Sequence, residues 1–447
     1  MVDASGAAHR LGLVTVLLIG SGCVDVEPPQ TRPSALSQAV TSCEGAKPAA
    51  AFQLPVWDLF VVDEHWNALF ADVKADVEVD AQLCMNGVLE PIELELQGTS
   101  GRTRDKKSFK IKFKRDHALS EVGFEAEARS HALIDKVYLK AVWIDQSMIR
   151  EALAFDLWRE MGHKAPRSGF ANLRINGDYW GLYNVVEPVD DEYLERNDYP
   201  ANGHLYKATR KHGSRADFVP GRNLEKAFED KTDDGPPSRA DLGYLVETLQ
   251  ETPLDEESFE RDIDPIFPID DYLDRMIWVS LTRNGDAVAQ NYYLYNAPRD
   301  GHDHWYLIPW DSDLCMGANW RDRDAVVPSD VSLMLDGRNY YGRRLTMVPS
   351  IRERYVERFH EVLDEVLPEA VMRSHLEARA ARVRVDLMKD QGRWQRHVTP
   401  DEAFDVIRNF VAERPGILRT ALQETFAESN DNSALTESTP DVRTESD

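Results

Sequence analysis

The stretch NYYLYNAPRDGHDHWYLIPWDSDLCMG, residues 291–317, contains two aromatic and aliphatic runs separated by polar residues. Both runs have the length and composition of β-strands. The second run ends at Asp311 and Asp313. In an extended segment these two carboxylates point to the same side and repel each other, so they either stay in water or hold a cation.

Neighbouring carboxylates are hard oxygen ligands that suit Mg²⁺ or Mn²⁺, often with phosphate completing the coordination shell. The apolar run from Trp305 to Trp310 predicts that Asp311 and Asp313 leave the core at its edge. A solvated turn after a strand is the alternative, because an isolated Asp-x-Asp motif is weak. Asp311 and Asp313 are therefore candidate metal ligands.

Strand-like patterns dominate the first part of the folded region. Between residues 54 and 113 the segments VWDLFVV, ADVEVDAQL, IELELQG and SFKIKF alternate apolar and polar residues, with Asn86-Gly87 as a turn. Strands return in FANLRINGDYWGLYNVVE around an Asn176-Gly177 turn. We expect antiparallel strands in these segments.

Helical patterns dominate the later part. A first helix is expected over about residues 146–161, capped by Asp145 or Ser147. Apart from the two strands of the opening stretch, the C-terminal part has helical spacing, notably over 351–366 and 401–412. Strands first and helices later indicate an α+β fold with antiparallel N-terminal strands and a mainly helical C-terminal part.

Composition limits the class of protein. With 447 residues, 42% of them hydrophobic, the chain can bury a large core. The net charge of −26 argues against nucleic acid as the main partner, because phosphate binding needs concentrated Lys and Arg. The Pro- and Ser-rich residues 24–49 are expected to be a flexible tether, residues 50–426 the folded domain, and residues 427–447 a disordered acidic tail.

The N-terminus HRLGLVTVLLIGSGC has a basic start and an apolar run too short to cross a bilayer, which predicts a signal peptide over residues 1–23. Gly22 and Cys23 resemble the end of a bacterial lipoprotein signal, in which the cysteine is acylated. A cleaved secretory signal with an incidental Cys23 is the alternative. Of the remaining cysteines, Cys43 and Cys84 can pair, leaving Cys315 as a buried apolar residue.

Three further stretches contain candidate site residues. In TRNGDAVAQN, Asp286 can act as a base or orient a hydroxyl and Asn291 can supply a neutral oxygen ligand, although Asn-Gly-Asp is commonly a simple turn. In LELQGTSGRTRDKKSFKIKF, a loop containing Ser100 and either Arg102 or Arg104 can bind phosphate through backbone N–H groups and guanidinium.

Strict alternation in that second stretch places Lys107 on the apolar face of Phe109, where an ammonium needs an anionic partner. An ordinary hairpin with a basic outer face is the alternative. In the third stretch, INGDYWGLYNVVEPVDDEYL, Glu187 falls at an inner strand edge and can pair with Lys107, as a strand lysine pairs with a helix glutamate in protein kinases. A surface glutamate capping the next helix is the simpler interpretation.

In their order along the chain, these stretches resemble the CotH family of spore-coat-type atypical protein kinases. The matching segments are GTSGRTRDKKSFKIKF, the helix SMIREALAFDLWREMG, NGDYWGLYNVVE, NYYLYN and PWDSDLCMG. The resemblance extends over roughly residues 54–426. This chain departs from the family at Leu314, Cys315 and Met316, where Thr, Trp or Phe is common, and in the charged stretch 102–105.

The resemblance implies an atypical protein-kinase-like fold, binding of ATP with Mg²⁺ or Mn²⁺, and γ-phosphoryl transfer to Ser or Thr of a protein. Residue by residue, Lys107 or Lys106 would hold phosphates and Asp286 would align the accepting hydroxyl. Asn291 would assist at the metal, and Asp311 with Asp313 would bind it.

With the signal peptide, this predicts an exported bacterial protein, anchored by lipid to the plasma or outer membrane, that acts on exported or envelope proteins. A metal-dependent glycosyltransferase using the Asp-x-Asp pair and a non-catalytic adhesion or coat-assembly protein are the alternatives.

Overall fold

The computed structural model describes residues 32–41, 43, 52–118, 124, 133–210, 213–232, 239–299, 302–318, 333–335 and 339–426. The predicted signal peptide with Cys23 and the predicted acidic tail lie outside these residues. The described chain mixes helices and strands, with strands concentrated in its first part, as the sequence patterns indicate.

Among the described residues, a closed barrel of seven strands forms the N-terminal half, in the order β1-β2-β3-β4-β5-β7-β6. The strands are β1 (Val56–Phe60), β2 (Glu78–Met85), β3 (Val88–Gln97), β4 (Ser108–Ala118), β5 (Leu133–Lys140), β6 (Ser168–Ile175) and β7 (Asp178–Val186). Neighbouring strands are antiparallel except β1 and β6, whose parallel pairing closes the barrel. The antiparallel prediction is thus right for every pair but this one.

Alternation along the strands fills the barrel interior. Leu94 on β3, Phe109 and Ile111 on β4 and Leu139 on β5 are fully buried in one apolar cluster. Asn86 and Gly87 both have positive φ, of 50° and 80°, as a tight two-residue hairpin turn requires. The period-two pattern and the turn are confirmed.

A second sheet and most of the helices form the C-terminal half. Its four strands, in the order β11-β10-β8-β9, are β8 (His204–Ala208), β9 (Phe228–Asp230), β10 (Tyr292–Arg299) and β11 (His302–Pro309). The helices are α1 (Asp63–Ala71), α2 (Arg150–Glu160), α3 (Asp191–Arg196), α4 (Leu224–Ala227), α5 (Ala240–Glu251), α6 (Glu256–Asp262), α7 (Ile269–Thr282), α8 (Tyr340–Met347), α9 (Pro349–Glu361), α10 (Glu369–Arg393) and α11 (Pro400–Phe426). In chain order, α1 and α2 lie between strands of the barrel. None of these helices is both long and apolar enough to cross a membrane.

Helix α2 begins close to where the sequence predicts it. The Asp145 carboxylate accepts hydrogen bonds from the backbone N–H groups of Ser147 and Arg150, both at 2.9 Å. The bond from Arg150 satisfies a donor that the first turn of a helix otherwise leaves unpaired, whereas Ser147 lies before the helix, whose N-cap is Ile149. Helix α1, which no sequence pattern indicated, covers one end of the barrel with the buried Trp66 and Leu69.

Helix α10 joins the two halves through two aspartates one helical turn apart. Asp386 accepts from the backbone N–H of Leu54 at 2.8 Å and from the Asn172 amide at 3.0 Å. Asp390 accepts from the Leu182 N–H at 2.9 Å and pairs with the Lys106 ammonium at 2.6 Å. Both carboxylates are buried, so the helix is fixed to β1, β6 and β7 by charge-assisted hydrogen bonds.

Part of the predicted tether contacts the barrel. The backbone and hydroxyl of Ser34 donate to Asp178 at 2.8 and 2.7 Å, and the Asp63 N–H donates to the Leu36 carbonyl at 3.0 Å. A disulfide joins Cys43 to Cys84. Residues 32–41 are therefore attached to the domain. Cys315 is free and buried.

Candidate functional site

A cleft lies between the loop after β3, the end of β5 and the Asp-Ser-Asp segment after β11. Its cavity has a volume of about 120 Å³. The lining residues are Gln97, Gly98, Thr99, Ser100, Gly101, Arg104, Lys106, Ser108, Lys140, Ala141, Val142, Trp143, Ile144, Asp311 and Asp313. The structure thus brings the predicted loop and the two predicted aspartates together.

Lys140, at the end of β5, connects the barrel, α2 and Asp311. Its ammonium lies 2.5 Å from the Glu151 carboxylate and 2.6 Å from the Asp311 carboxylate. Glu151 is fully buried, whereas the Asp311 side chain is 40% exposed. One lysine therefore fixes a helix carboxylate and a carboxylate at the mouth of the cleft in a single ionic network.

The two aspartates have different ionisation properties. Burial works against the charge of Asp311, but Lys140 and, secondarily, Lys207 outweigh it and hold the pKa of Asp311 below its usual value. Burial and the neighbouring charge of Asp311 raise the pKa of Asp313 well above the ordinary range of a carboxylic acid. Lys140 thus compensates one carboxylate, and the second retains an unfavourable interaction that a cation would relieve.

The segment containing Asp286 and Asn291 lies against the aspartates. The Asn284 amide donates to the Ser312 hydroxyl at 3.0 Å, and the Asn291 amide donates to the Asp311 carbonyl at 3.2 Å. Asp286 lies between them in a short 3₁₀ turn and is partly buried. Asp311 itself has a φ of +50°, a left-handed conformation uncommon for a non-glycine residue. Asn284 had not been singled out in the sequence, although it precedes the glycine of the Asn-Gly-Asp turn.

Residues that depart from the family pattern anchor this segment. Arg150 on α2 donates through Nε to the Cys315 carbonyl at 2.9 Å, and the Met316 N–H donates to the Thr282 carbonyl at 2.8 Å. Cys315 and Met316 are buried. Their side chains therefore belong to the core beneath the aspartates and leave the carboxylates free to face the cleft.

The loop after β3 presents some, but not all, of the groups expected to contact phosphate. Gly98, with a φ of +90°, Ser100 and Arg104 line the cleft. Arg102 does not: its guanidinium pairs with Asp76 at 2.7 Å and donates to the Ala75 carbonyl at 3.0 Å. The prediction of Arg102 as a phosphate contact is wrong, because the 3₁₀ turn Ser100–Thr103 directs it away from the cleft.

The two adjacent lysines also differ from expectation. Because β4 begins at Ser108, strand alternation does not reach Lys107. Lys107 does not line the cleft, and its ammonium donates to the Arg104 carbonyl. Lys106 is the buried lysine, and its ammonium pairs with Asp390 and donates to the Leu182 carbonyl. Burial lowers the pKa of Lys106 to about 8, although Asp390 opposes the shift. Lys106 thus connects the cleft floor to α10 instead of offering a free ammonium to phosphate.

Glu187 does not pair with Lys107. Its carboxylate accepts from the Arg196 guanidinium at 2.6 and 2.7 Å and from the Arg167 N–H at 2.9 Å. The glutamate is buried after β7 and pairs with α3, so it contributes to the connection between the two halves. A different lysine on a strand does pair with a glutamate on a helix, namely Lys140 with Glu151.

Comparison with known proteins identifies the family. The family model described as CotH kinase protein matches residues 94–418. This chain belongs to the CotH family.

Two relatives show how far the likeness within the CotH family extends. Inner spore coat protein H of Bacillus subtilis is 24% identical over 375 residues, which is 83% of this chain and 98% of that protein. Invasin CotH2 of Rhizopus delemar is 26% identical over 192 residues, covering 39% of this chain and 31% of the invasin.

Solved structures give a weaker likeness for this CotH protein. The Golgi casein kinase with Mn/ADP bound aligns over 84% of this chain and 78% of its own, with 11% identity and a TM-score of 0.30. A second structure of the Golgi casein kinase aligns over 82% and 77%, with 10% identity and a TM-score of 0.29. These TM-scores are too low to support an argument about the fold or the activity.

Proposed function

We propose that this CotH protein is a kinase-like phosphotransferase that binds ATP with Mg²⁺ or Mn²⁺ in the cleft. The observation that carries the proposal is the contact of Lys140 with both Glu151 and Asp311, at 2.5 and 2.6 Å. Protein kinases use a strand lysine paired with a helix glutamate, next to an aspartate that holds magnesium. The same three kinds of residue meet here.

The side chains present fit a divalent metal. Asp311 and Asp313 are separated by one residue, and the Asn291 amide lies against the Asp311 backbone. Two carboxylates and an amide oxygen are the hard donors that Mg²⁺ and Mn²⁺ prefer. A bound metal would neutralise charge on the phosphates and position them. Asp311, Asp313 and Asn291 would hold it.

The loop side of the cleft fits the phosphates. Gly98 and Gly101 leave space, since a Cβ built at either position would have no atom within 4 Å, so a ligand can approach the backbone. The Arg104 guanidinium has no acidic partner among the described residues, in contrast to Arg102. Backbone N–H groups around Ser100 and the Arg104 guanidinium would bind phosphate oxygens.

The acceptor is proposed to be a Ser or Thr hydroxyl of an exported or envelope protein. Asp286 would orient that hydroxyl and accept its proton, since the Asn284 to Ser312 hydrogen bond fixes its turn beside the aspartates. The catalytic contribution of the protein would then be mainly positioning and charge neutralisation, as phosphoryl transfer requires.

Several observations support an exported location. The Cys43–Cys84 disulfide is of a kind that persists in oxidising compartments. One relative is named a spore coat protein and the other an invasin. Together with the signal-like N-terminus, these support export, and acylation at Cys23 would anchor the protein to the plasma or outer membrane.

Calorimetric titration of the full chain with ATP and Mg²⁺ tests the proposal. We expect magnesium-dependent binding in the wild type, loss of binding in Asp311→Asn, and unchanged binding in Asp303→Asn, which removes an exposed carboxylate on β11. A UDP-sugar titration tests the glycosyltransferase alternative. A folded wild type that binds neither nucleotide would contradict the proposal and favour a non-catalytic surface role.

A further inference from the structure

Lys207 on β8 has an unusual environment for a lysine. It is partly buried, and its ammonium lies 5.7 Å from the ring centre of Trp310 and 5.9 Å from that of Tyr293. Among the described residues it has no ion pair or hydrogen bond through its side chain. Two aromatic rings thus hold a cation that makes no direct ion pair with the described residues, although the charges of Lys207 and Asp311 act on each other at longer range.

The position of Lys207 relates it to the cleft. Lys207 is opposite Tyr293 in the β8–β10 register, and Trp310 immediately precedes Asp311. The Lys140 ammonium lies 4.9 Å from the centre of the same Trp310 ring. Two ammonium groups therefore approach Trp310 and Asp311, one from the barrel and one from the second sheet. Lys140 lines the cavity with the glycine loop, whereas Lys207 is not part of that lining.

The described residues around Lys207 offer no directly paired anion that would balance the cost of burying its charge. Burial disfavours an ammonium, and cation–π contacts offset only part of that cost. The two more deeply buried lysines of the cleft both have carboxylate partners, Asp390 for Lys106 and Glu151 with Asp311 for Lys140. Since Lys140 already occupies Asp311 at 2.6 Å, Lys207 retains its capacity to bind another anion.

We infer that Lys207 is a catalytic residue that contacts the phosphoryl group during transfer, from the side opposite the glycine loop. This inference rests on the proposed phosphotransferase function. In the reaction the acceptor hydroxyl oxygen forms a bond to the γ-phosphorus, the bond to the bridging oxygen breaks, and ADP leaves with that oxygen. The hydroxyl proton passes to Asp286. Lys207 keeps its protons and stabilises the negative charge on the non-bridging oxygens.

The test compares binding of ADP alone with binding of a mimic of the transferring group. The full chain is titrated with ADP and Mg²⁺, with and without aluminium fluoride, for the wild type and for Lys207→Met. Methionine keeps an apolar stem against the two rings and removes the charge. We expect the affinity for ADP with Mg²⁺ to change less than about twofold and the additional affinity given by aluminium fluoride to fall roughly 100-fold.

Two further variants make the result specific. Lys164→Met removes another lysine that lies over an aromatic ring, 4.8 Å from the centre of Tyr199 and outside the cleft lining, and should change neither affinity. Lys207→Arg retains the charge and should keep part of the gain from aluminium fluoride. Equal gains in the wild type and Lys207→Met would overturn the inference alone. A wild type that does not bind ADP with Mg²⁺ would overturn the proposed function, and the inference with it.

Discussion

Replacing Gly181 by alanine should destabilise the domain strongly, although the change adds a single methyl group. A Cβ at this position would lie 2.4 Å from an Asp390 carboxylate oxygen, 2.9 Å from Nε1 of Trp394 and 3.1 Å from Cε of Lys106. These atoms belong to a buried ion pair and to a packed indole, so they cannot move without separating charges. Gly181 also has a φ of +146°, which a residue with a side chain adopts only under strain.

The expected loss can be worked out in two parts. Backbone strain at such a φ costs about 1–3 kcal/mol. Breaking a buried ion pair completely costs about 3–5 kcal/mol, so displacing this one should cost about 2–4 kcal/mol. The free energy of unfolding should therefore fall by about 3–7 kcal/mol, a large share of the roughly 5–15 kcal/mol of a typical domain.

Urea unfolding followed by tryptophan fluorescence measures this loss, because Trp180 and Trp394 lie beside the site. Gly162→Ala is the matched control: its φ is +94°, and a Cβ there has no atom within 4 Å. That variant should lose only the strain contribution, about 1–3 kcal/mol. Equal losses for Gly162→Ala and Gly181→Ala would refute the argument that the ion pair requires glycine.

Three other predictions concern charge, the disulfide and pH. Asp313→Asn should remove the repulsion between Asp311 and Asp313 and so raise the free energy of unfolding, measured without divalent cations, by about 1 kcal/mol. The same variant should lose Mg²⁺-dependent ATP binding. Lower stability together with retained binding would contradict this prediction. Cys43→Ser should lower the free energy of unfolding by about 3–4 kcal/mol, since the bond to Cys84 closes a loop with a sequence separation of 41, and dithiothreitol should destabilise the wild type but not the variant. Burial lowers the pKa of Lys106 in the folded protein to about 8, below its value of about 10.5 in the unfolded chain. Between these two pH values the unfolded chain binds more protons than the folded protein, so the free energy of unfolding rises with pH. The wild type should therefore gain stability relative to Lys106→Met between about pH 8 and 10.5. A pH-independent difference in unfolding free energy between these two proteins would show that Lys106 stays protonated.

Sequence patterns predicted the features that depend on neighbouring residues, namely strand alternation and tight turns. Alternation along β3 and β4 correctly indicated the residues that fill the barrel, and the Asn86-Gly87 turn followed from its backbone preference. The parallel pairing of Val56 on β1 with Asn172 on β6 was not predictable, because residues so far apart in the chain leave no periodic signal of their contact. The sequence also offered no pattern for α1, whose nine residues are too few to show a clear helical period.

The site was predicted in part for the same reason. Asp311 and Asp313 stand out because they follow a long apolar run. Lys140 was missed because it is on the outer face of β5, where a lysine is ordinary; only the packing of α2, with Glu151, makes that face buried. Lys107 was wrongly assigned to the apolar face because the alternation of β4 was assumed to continue back to residue 107. Strand β4 begins at Ser108, and alternation does not apply to the irregular loop before it.

The hydrogen bond between the chain just before β1 and helix α10 also affects when the domain can finish folding during synthesis. A polypeptide emerges from the ribosome, or crosses a membrane as an extended chain, with its N-terminus first. Leu54, at the entrance to β1, is hydrogen-bonded to Asp386, 332 residues further along, and β1 is paired with β6. Strand β1 can pair with β2 and β6 once residue 175 has been made, but the contact that fixes Leu54 to α10 needs almost the whole chain. Contacts of such large sequence separation slow the last step of folding.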